Sequence, residues 1–254
     1  MIKQALFKLT HLVSFPNLGR PFVVVKNTIK TTIVLGFIFA LVYIITNGPA
    51  LWIRYIYQIP IQASERLLLP EIADINSSLL PSILNDIVSQ YGNNKLVIKK
   101  INVNVPIIWD VKEDTILEEL KNGVAHYAGT AYPRERGNVF ITGHSSNYWW
   151  TKGDYNYIFA LLDKLEISDE IIITYKDSAY IYKVMGSKVV KPEDVSVLNS
   201  TPKSTLTLMT CTPVGTTLNR LIVTASLVIP EKTINKKAYE RPLLPLIKTL
   251  PKVR

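Results

Sequence analysis

One residue type in this chain can act as a strong nucleophile at neutral pH, and it occurs once, as Cys211. A thiolate that attacks a carbonyl needs an acid/base partner to protonate the group it expels. It also gains from a fixed donor where negative charge develops. Three histidines can be that partner, His11, His126 and His144. His144 ends the run "GNVFITGH" and is followed by Ser145, Ser146 and Asn147, so it sits at the end of an expected strand. Arg220 offers a permanently charged guanidinium with donors in a rigid fork. It opens "RLIVTASLV", while Cys211 closes "STLTLMT". Pairing of those two strands in antiparallel fashion would bring thiol and guanidinium together. Taken singly, each has a plainer reading: a buried apolar cysteine, a hydrogen-bonded histidine, a charge at the rim. His126, in "NGVAHYAGT", reads as structural.

The elements that must position these groups are mostly strands. The texture changes at Lys95, where "LVIKKINVNVPII" reads as strand bent at Pro106. "EDTILEELKNG" predicts a short helix with Ile116, Leu117 and Leu120 on one face and Gly123 as its stop. "DYNYIFALLDKL" predicts a second helix, and "DEIIITY" and "AYIYKVMGSKVV" two more strands. "TLTLMT" alternates polar and apolar residues and is expected to be half-buried. Strands at this spacing with few helices point to a sandwich or barrel.

Charge places the domain. The net charge is +9, yet residues 1–54 carry six Lys/Arg and no acid, and residues 231–254 carry seven Lys/Arg against two Glu. The body between them has 16 basic and 18 acidic residues, which argues against nucleic acid as a partner. Residues 31–53 contain no charge, enough to cross a bilayer as helix, with Tyr43 and Trp52 as interfacial anchors. A cleaved signal peptide is disfavoured because the basic leader is long and no small-residue cleavage site follows. Five basic residues precede the run and Arg54 alone follows closely, so the N-terminus is expected in the cytoplasm and the domain outside. The expected organisation is a basic tail (1–30), a single membrane anchor (31–53), a stalk (54–94), a catalytic domain (95–230) and a basic, loosely ordered tail (231–254).

The segment "TLTLMTCTPVGTTLNRLIV" resembles the signature of the sortase family, a T-L-x-T-C strand followed by an arginine nine residues on. Thr207, Leu208, Met209, Thr210 and Cys211 match that form, with Arg220 at the expected spacing. "GVAHYAGTAYPRERGNVFITGHSS" is similar to the family block that ends in Gly-His, and "LVIKKINVNVPI" to its opening strand. The resemblance implies a mainly β fold, a closed sortase-type β-barrel with short helices, preceded by a transmembrane helix. It implies a cysteine transpeptidase that cleaves an L-P-x-T-G-like sorting signal on surface proteins and passes the acyl group to an amine of a cell-wall precursor or pilin lysine. Carried over, Cys211 is nucleophile, His144 acid/base, Arg220 substrate or oxyanion support, and Thr210 a residue against the substrate. No metal or other cofactor is expected. "TCTP" resembles the pilin-type form, but Asn219 stands where that class has histidine, and the lone N-terminal anchor suits the housekeeping and D- or E-like classes better. Two alternatives stay open: a non-catalytic binding module on the same barrel, and a peptidase that releases its product to water. A papain-like peptidase is excluded by residue order and context. "LLPLIKTLPKVR" holds Leu-Pro pairs but no Thr-Gly, so the chain is not read as a sorting substrate itself.

Overall fold

A computed structural model describes residues 19–58, 79–148, 150–230, 249–251 and 253. The chain divides into two compact units at Ile45/Thr46. Helix α1 (Gly19–Gln58) begins in the first and ends in the second, and its part in the first exposes apolar residues, Phe37 and Phe39 among them. The helix is long and apolar enough over Asn27–Tyr57 to cross a membrane.

In the second unit, eight strands among the described residues close into a barrel in the order β1-β2-β3-β4-β7-β8-β6-β5. They are β1 (Lys95–Ile98), β2 (Val103–Val111), β3 (Val124–Tyr127), β4 (Gly137–Thr142), β5 (Glu170–Tyr175), β6 (Ser178–Val190), β7 (Ser204–Thr212) and β8 (Asn219–Ile229). The mainly β barrel expected from the sequence is the fold observed. Helix α2 (Leu80–Tyr91) packs Ile87 against Val97, Ile172 and Ile181. Helix α3 (Ile116–Glu119) lies between β2 and β3 in the chain.

Side-chain alternation sorts the apolar residues into clusters. Val139, Ile141, Leu206 and Leu208 fill the barrel with Leu96, Ile171 and Val223. The opposite faces of β4 and β7 turn Phe140, Met209 and Cys211 into a second cluster with Ile116, Leu120 and Val197. Strand β7 is therefore buried on both faces rather than half-buried. It pairs in parallel with β4 and antiparallel with β8, a central position that is covered on both sides. Its threonines are absorbed by hydrogen bonding: Thr207 Oγ1 donates to Asn138 Oδ1 at 2.7 Å.

Three local expectations are corrected. The opening strand breaks at a 3-10 turn over Lys99–Ile101, not at Pro106, which lies inside β2. Asn102 ends that turn at φ 53°, a left-handed conformation that asparagine tolerates. "DYNYIFALLDKL" forms successive turns and a 3-10 helix at Leu162–Lys164. The Phe159 N–H goes to His144 O at 2.9 Å instead of to the carbonyl four residues back, so tertiary bonding overrides the helical pattern. In α3, Ile116 and Leu120 are buried but Leu117 faces solvent, because the helix is only one turn long.

Candidate active site

The β7–β8 hairpin sets the first pair. Its register places Cys211 directly opposite Arg220. Residues opposite one another share a face, with Cβ atoms about 5 Å apart. Strand β4 sets the third member. Its last register pair with β7 is Thr142 with Met209, and His144 lies two residues beyond the end of that strand. Neighbouring strands lie about 4.8 Å apart. Cys211 and Arg220 are thus paired across the hairpin, and His144, 67 residues away in the sequence, follows the strand that neighbours β7 on its other side.

The end of β4 is laced to β7. Gly143 N donates to Met209 O at 3.2 Å and Thr142 Oγ1 to the same carbonyl at 3.2 Å. Thr210 Oγ1 donates to Gly143 O at 2.8 Å. Alternation directs Thr210 away from the Cys211 face, so its hydroxyl holds the residue that precedes His144. Gly143 has a steric reason to be glycine: a Cβ there would stand 2.7 Å from the Phe159 ring. Beyond His144, Ser145 and Ser146 are fully buried, and Ser146 Oγ accepts the Gly215 N–H at 2.9 Å. That bond ties the loop after Cys211 to the loop after His144.

Arg220 is buried, and its guanidinium is shared among four carbonyls. Nη1 donates to Thr217 O at 3.0 Å and Asn219 O at 3.1 Å, holding the hairpin loop. Nε donates to Pro251 O at 3.0 Å and Nη2 to Leu250 O at 3.4 Å. Residues 249–251 and 253 are thus part of the site's surroundings. Leu250 and Val253 are buried in the Cys211 cluster, where a loose tail had been expected; residues 231–248 of that tail lie outside the described residues. The sequence signal was the Leu-Pro pair at 250–251.

His126 takes no part. Its Nδ1 lies 3.3 Å from the Asp110 N–H and its Nε2 2.9 Å from Ala131 O, with the ring stacked on Tyr132. His11 lies outside the described residues.

Residues 96–228 match a family model described as "Sortase domain". Sortase D of Bacillus subtilis (strain 168) is 30% identical over 132 residues, 50% of this chain and 60% of that protein. Sortase SrtE1 of Streptomyces coelicolor is 33% identical over 147 residues, 52% of this chain and 39% of that protein. The match therefore spans less than two thirds of either relative. The crystal structure of sortase C-1 from Actinomyces oris gives a TM-score of 0.46 at 31% identity, over 53% of this chain and 72% of that one.

Proposed function

The chain belongs to the sortase family, and on that premise we propose that it is a membrane-anchored cysteine transpeptidase acting on an L-P-x-T-G-like sorting signal of surface proteins. The observation that supports this best is the register that sets Cys211 opposite Arg220, beside the parallel β4 whose end leads into His144. The Cys211 thiolate attacks the carbonyl carbon of the Thr–Gly bond, and the oxygen takes up the negative charge. The Arg220 guanidinium supports that charge. Collapse breaks the C–N bond, and His144, in its protonated form, gives its proton to the departing amine. The acyl group is left on sulfur as a thioester. An incoming amine then attacks the thioester, loses a proton to the neutral His144 and takes the acyl group. The thiolate leaves and the enzyme returns to its starting state. Thr210 is a positioning residue in this scheme, acting through the Gly143 carbonyl.

Release to water competes with transfer, because water and an amine attack the same thioester. The acceptor is an amine of a cell-wall precursor or of a pilin lysine. The basic flank before the uncharged run at 31–53 orients the N-terminus to the cytoplasm and the barrel outward. The test is incubation of the full chain with a panel of sorting-signal peptides and an amine, read by mass spectrometry. The expected result is an acyl adduct on Cys211 and an amine-ligated product. Both should vanish in Cys211→Ala, and cleavage persisting undiminished in that variant would end the proposal.

A further inference from the structure

The groove at Cys211 is occupied by the protein's own residues. Leu250 N donates to Pro192 O at 2.6 Å, and the carbonyls of Leu250 and Pro251 accept from Arg220. Backbone groups of the segment are thus read on both sides. The one backbone position without an N–H, Pro251, needs no donor partner in a buried groove. It also biases Leu250 toward extended backbone, the form a cleft between strands and loops accepts. The side chains of Leu250 and Val253 enter the apolar cluster that contains Cys211, Met209, Ile116 and Val197. Leu250 is 1% and Val253 0% exposed, and Cys211 beneath them 1%.

We propose that the C-terminal stretch containing Leu250, Pro251 and Val253 is an internal ligand of the catalytic site that must leave before a sorting signal reaches Cys211. This rests on the reading of Cys211, His144 and Arg220 as the catalytic set. The segment presents Leu-Pro-Lys-Val where the proposed substrate presents Leu-Pro-x-Thr. Valine has the branching of threonine without its hydroxyl, and Arg254 follows it where the substrate has glycine. The segment therefore offers the apolar anchors of a substrate without its cleavage point. Competition is direct, because two of the Arg220 nitrogens that would meet a substrate or its oxyanion are on segment carbonyls.

The experiment uses the full chain in detergent micelles and measures the rate at which iodoacetamide alkylates Cys211, by intact mass. Leu250→Asp places a charge where leucine is buried and should expel the segment. If the closed state holds about nine-tenths of the molecules, alkylation should rise about tenfold, and the KM for a sorting-signal peptide should fall about tenfold. Synthetic Thr-Leu-Pro-Lys-Val peptide should protect the variant's thiol saturably, which a misfolded variant cannot show. Equal alkylation rates in both chains overturn the proposal. Faster alkylation without saturable protection also overturns it, since the segment would then only be part of the core. If the peptide protects but neither chain transfers an acyl group, the transpeptidase reading fails and the occupancy stands. If both chains turn over substrate with the same KM, the occupancy fails and the transpeptidase reading stands.

Discussion

At the residue scale, the arginine and the threonine carry separable roles. Arg220 donates to Thr217 and Asn219 carbonyls on its own hairpin, so part of its work is structural. Arg220→Lys keeps the charge but cannot serve two loop carbonyls and a developing oxyanion in one plane. Loss of a transition-state donor costs roughly 10²–10³ in rate. Unmet buried carbonyls cost about 1–3 kcal/mol. The variant should therefore lose about 100-fold or more in kcat/KM while still showing a cooperative unfolding transition, measured by peptide turnover and by urea denaturation. Thr210→Val removes the donor to Gly143 O without changing side-chain shape much. It should cost about 1–2 kcal/mol in stability. Because Gly143 precedes His144, kcat should fall with little change in KM. A change confined to KM would place Thr210 against the substrate instead.

At the element scale, the strands were legible because β-branched residues cluster between turn signals, and both strands that carry Cys211 and Arg220 could be read directly. The placement of the strand leading to His144 beside the one carrying Cys211 was not legible from spacing, since it depends on a parallel pairing of β4 with β7 that no local pattern encodes. The helix expected over 154–165 failed for the same reason: its backbone donor at Phe159 is claimed by His144 O, a partner remote from any helical period. That contact gives an element-level prediction. Gly143→Ala drives a methyl into the Phe159 ring, and overpacking of this kind costs about 1–3 kcal/mol. Phe159→Leu alone should also destabilise. The double variant should recover part of the loss, a coupling measured by a double-mutant cycle in urea. Strict additivity would mean that Phe159 does not brace the turn that presents His144. A second contact joins the end of α1 to the barrel, where Arg54 grips Asp163 with two hydrogen bonds of 2.7 and 2.8 Å. Burial alone would raise the Asp163 carboxyl, but the hydrogen bonds and charge of Arg54 outweigh it and hold the group below the ordinary carboxylate range. A depressed carboxylate stabilises above its unfolded pKa, and that support is lost as pH falls through the lowered folded value. Acidification below about pH 4 should speed amide exchange in residues 46–58. Asp163→Asn should exchange faster at neutral pH and lack that acid-side change. Both groups are partly exposed, so the pair is worth about 1 kcal/mol at most.

At the scale of the whole molecule, the uncharged run has two duties. Residues 28–44 of α1 are exposed, whereas Asn47 and Ala50 are buried and Ile53 and Tyr57 pack on the barrel core. The Arg54–Asp163 pair requires Arg54 to lie on the barrel's side of any bilayer. The part free to cross a bilayer under the proposed anchoring is residues 27–45, about 28 Å of helix at ~1.5 Å per residue, against a hydrocarbon core of about 30 Å. Four Lys/Arg and no acid precede it, Lys30 lies in its first turn, and Arg54 is the next charged residue after it. The proposed orientation, with the barrel outside, rests on retention of basic flanks on the cytoplasmic side. Cysteine accessibility in intact cells measures this, in a Cys211→Ala background that leaves no native thiol. Leu79→Cys, at a position 58% exposed, should react at once with a membrane-impermeant maleimide. Ser14→Cys should react only after lysis. The reverse pattern would put the barrel in the cytoplasm, where no surface protein could meet Cys211.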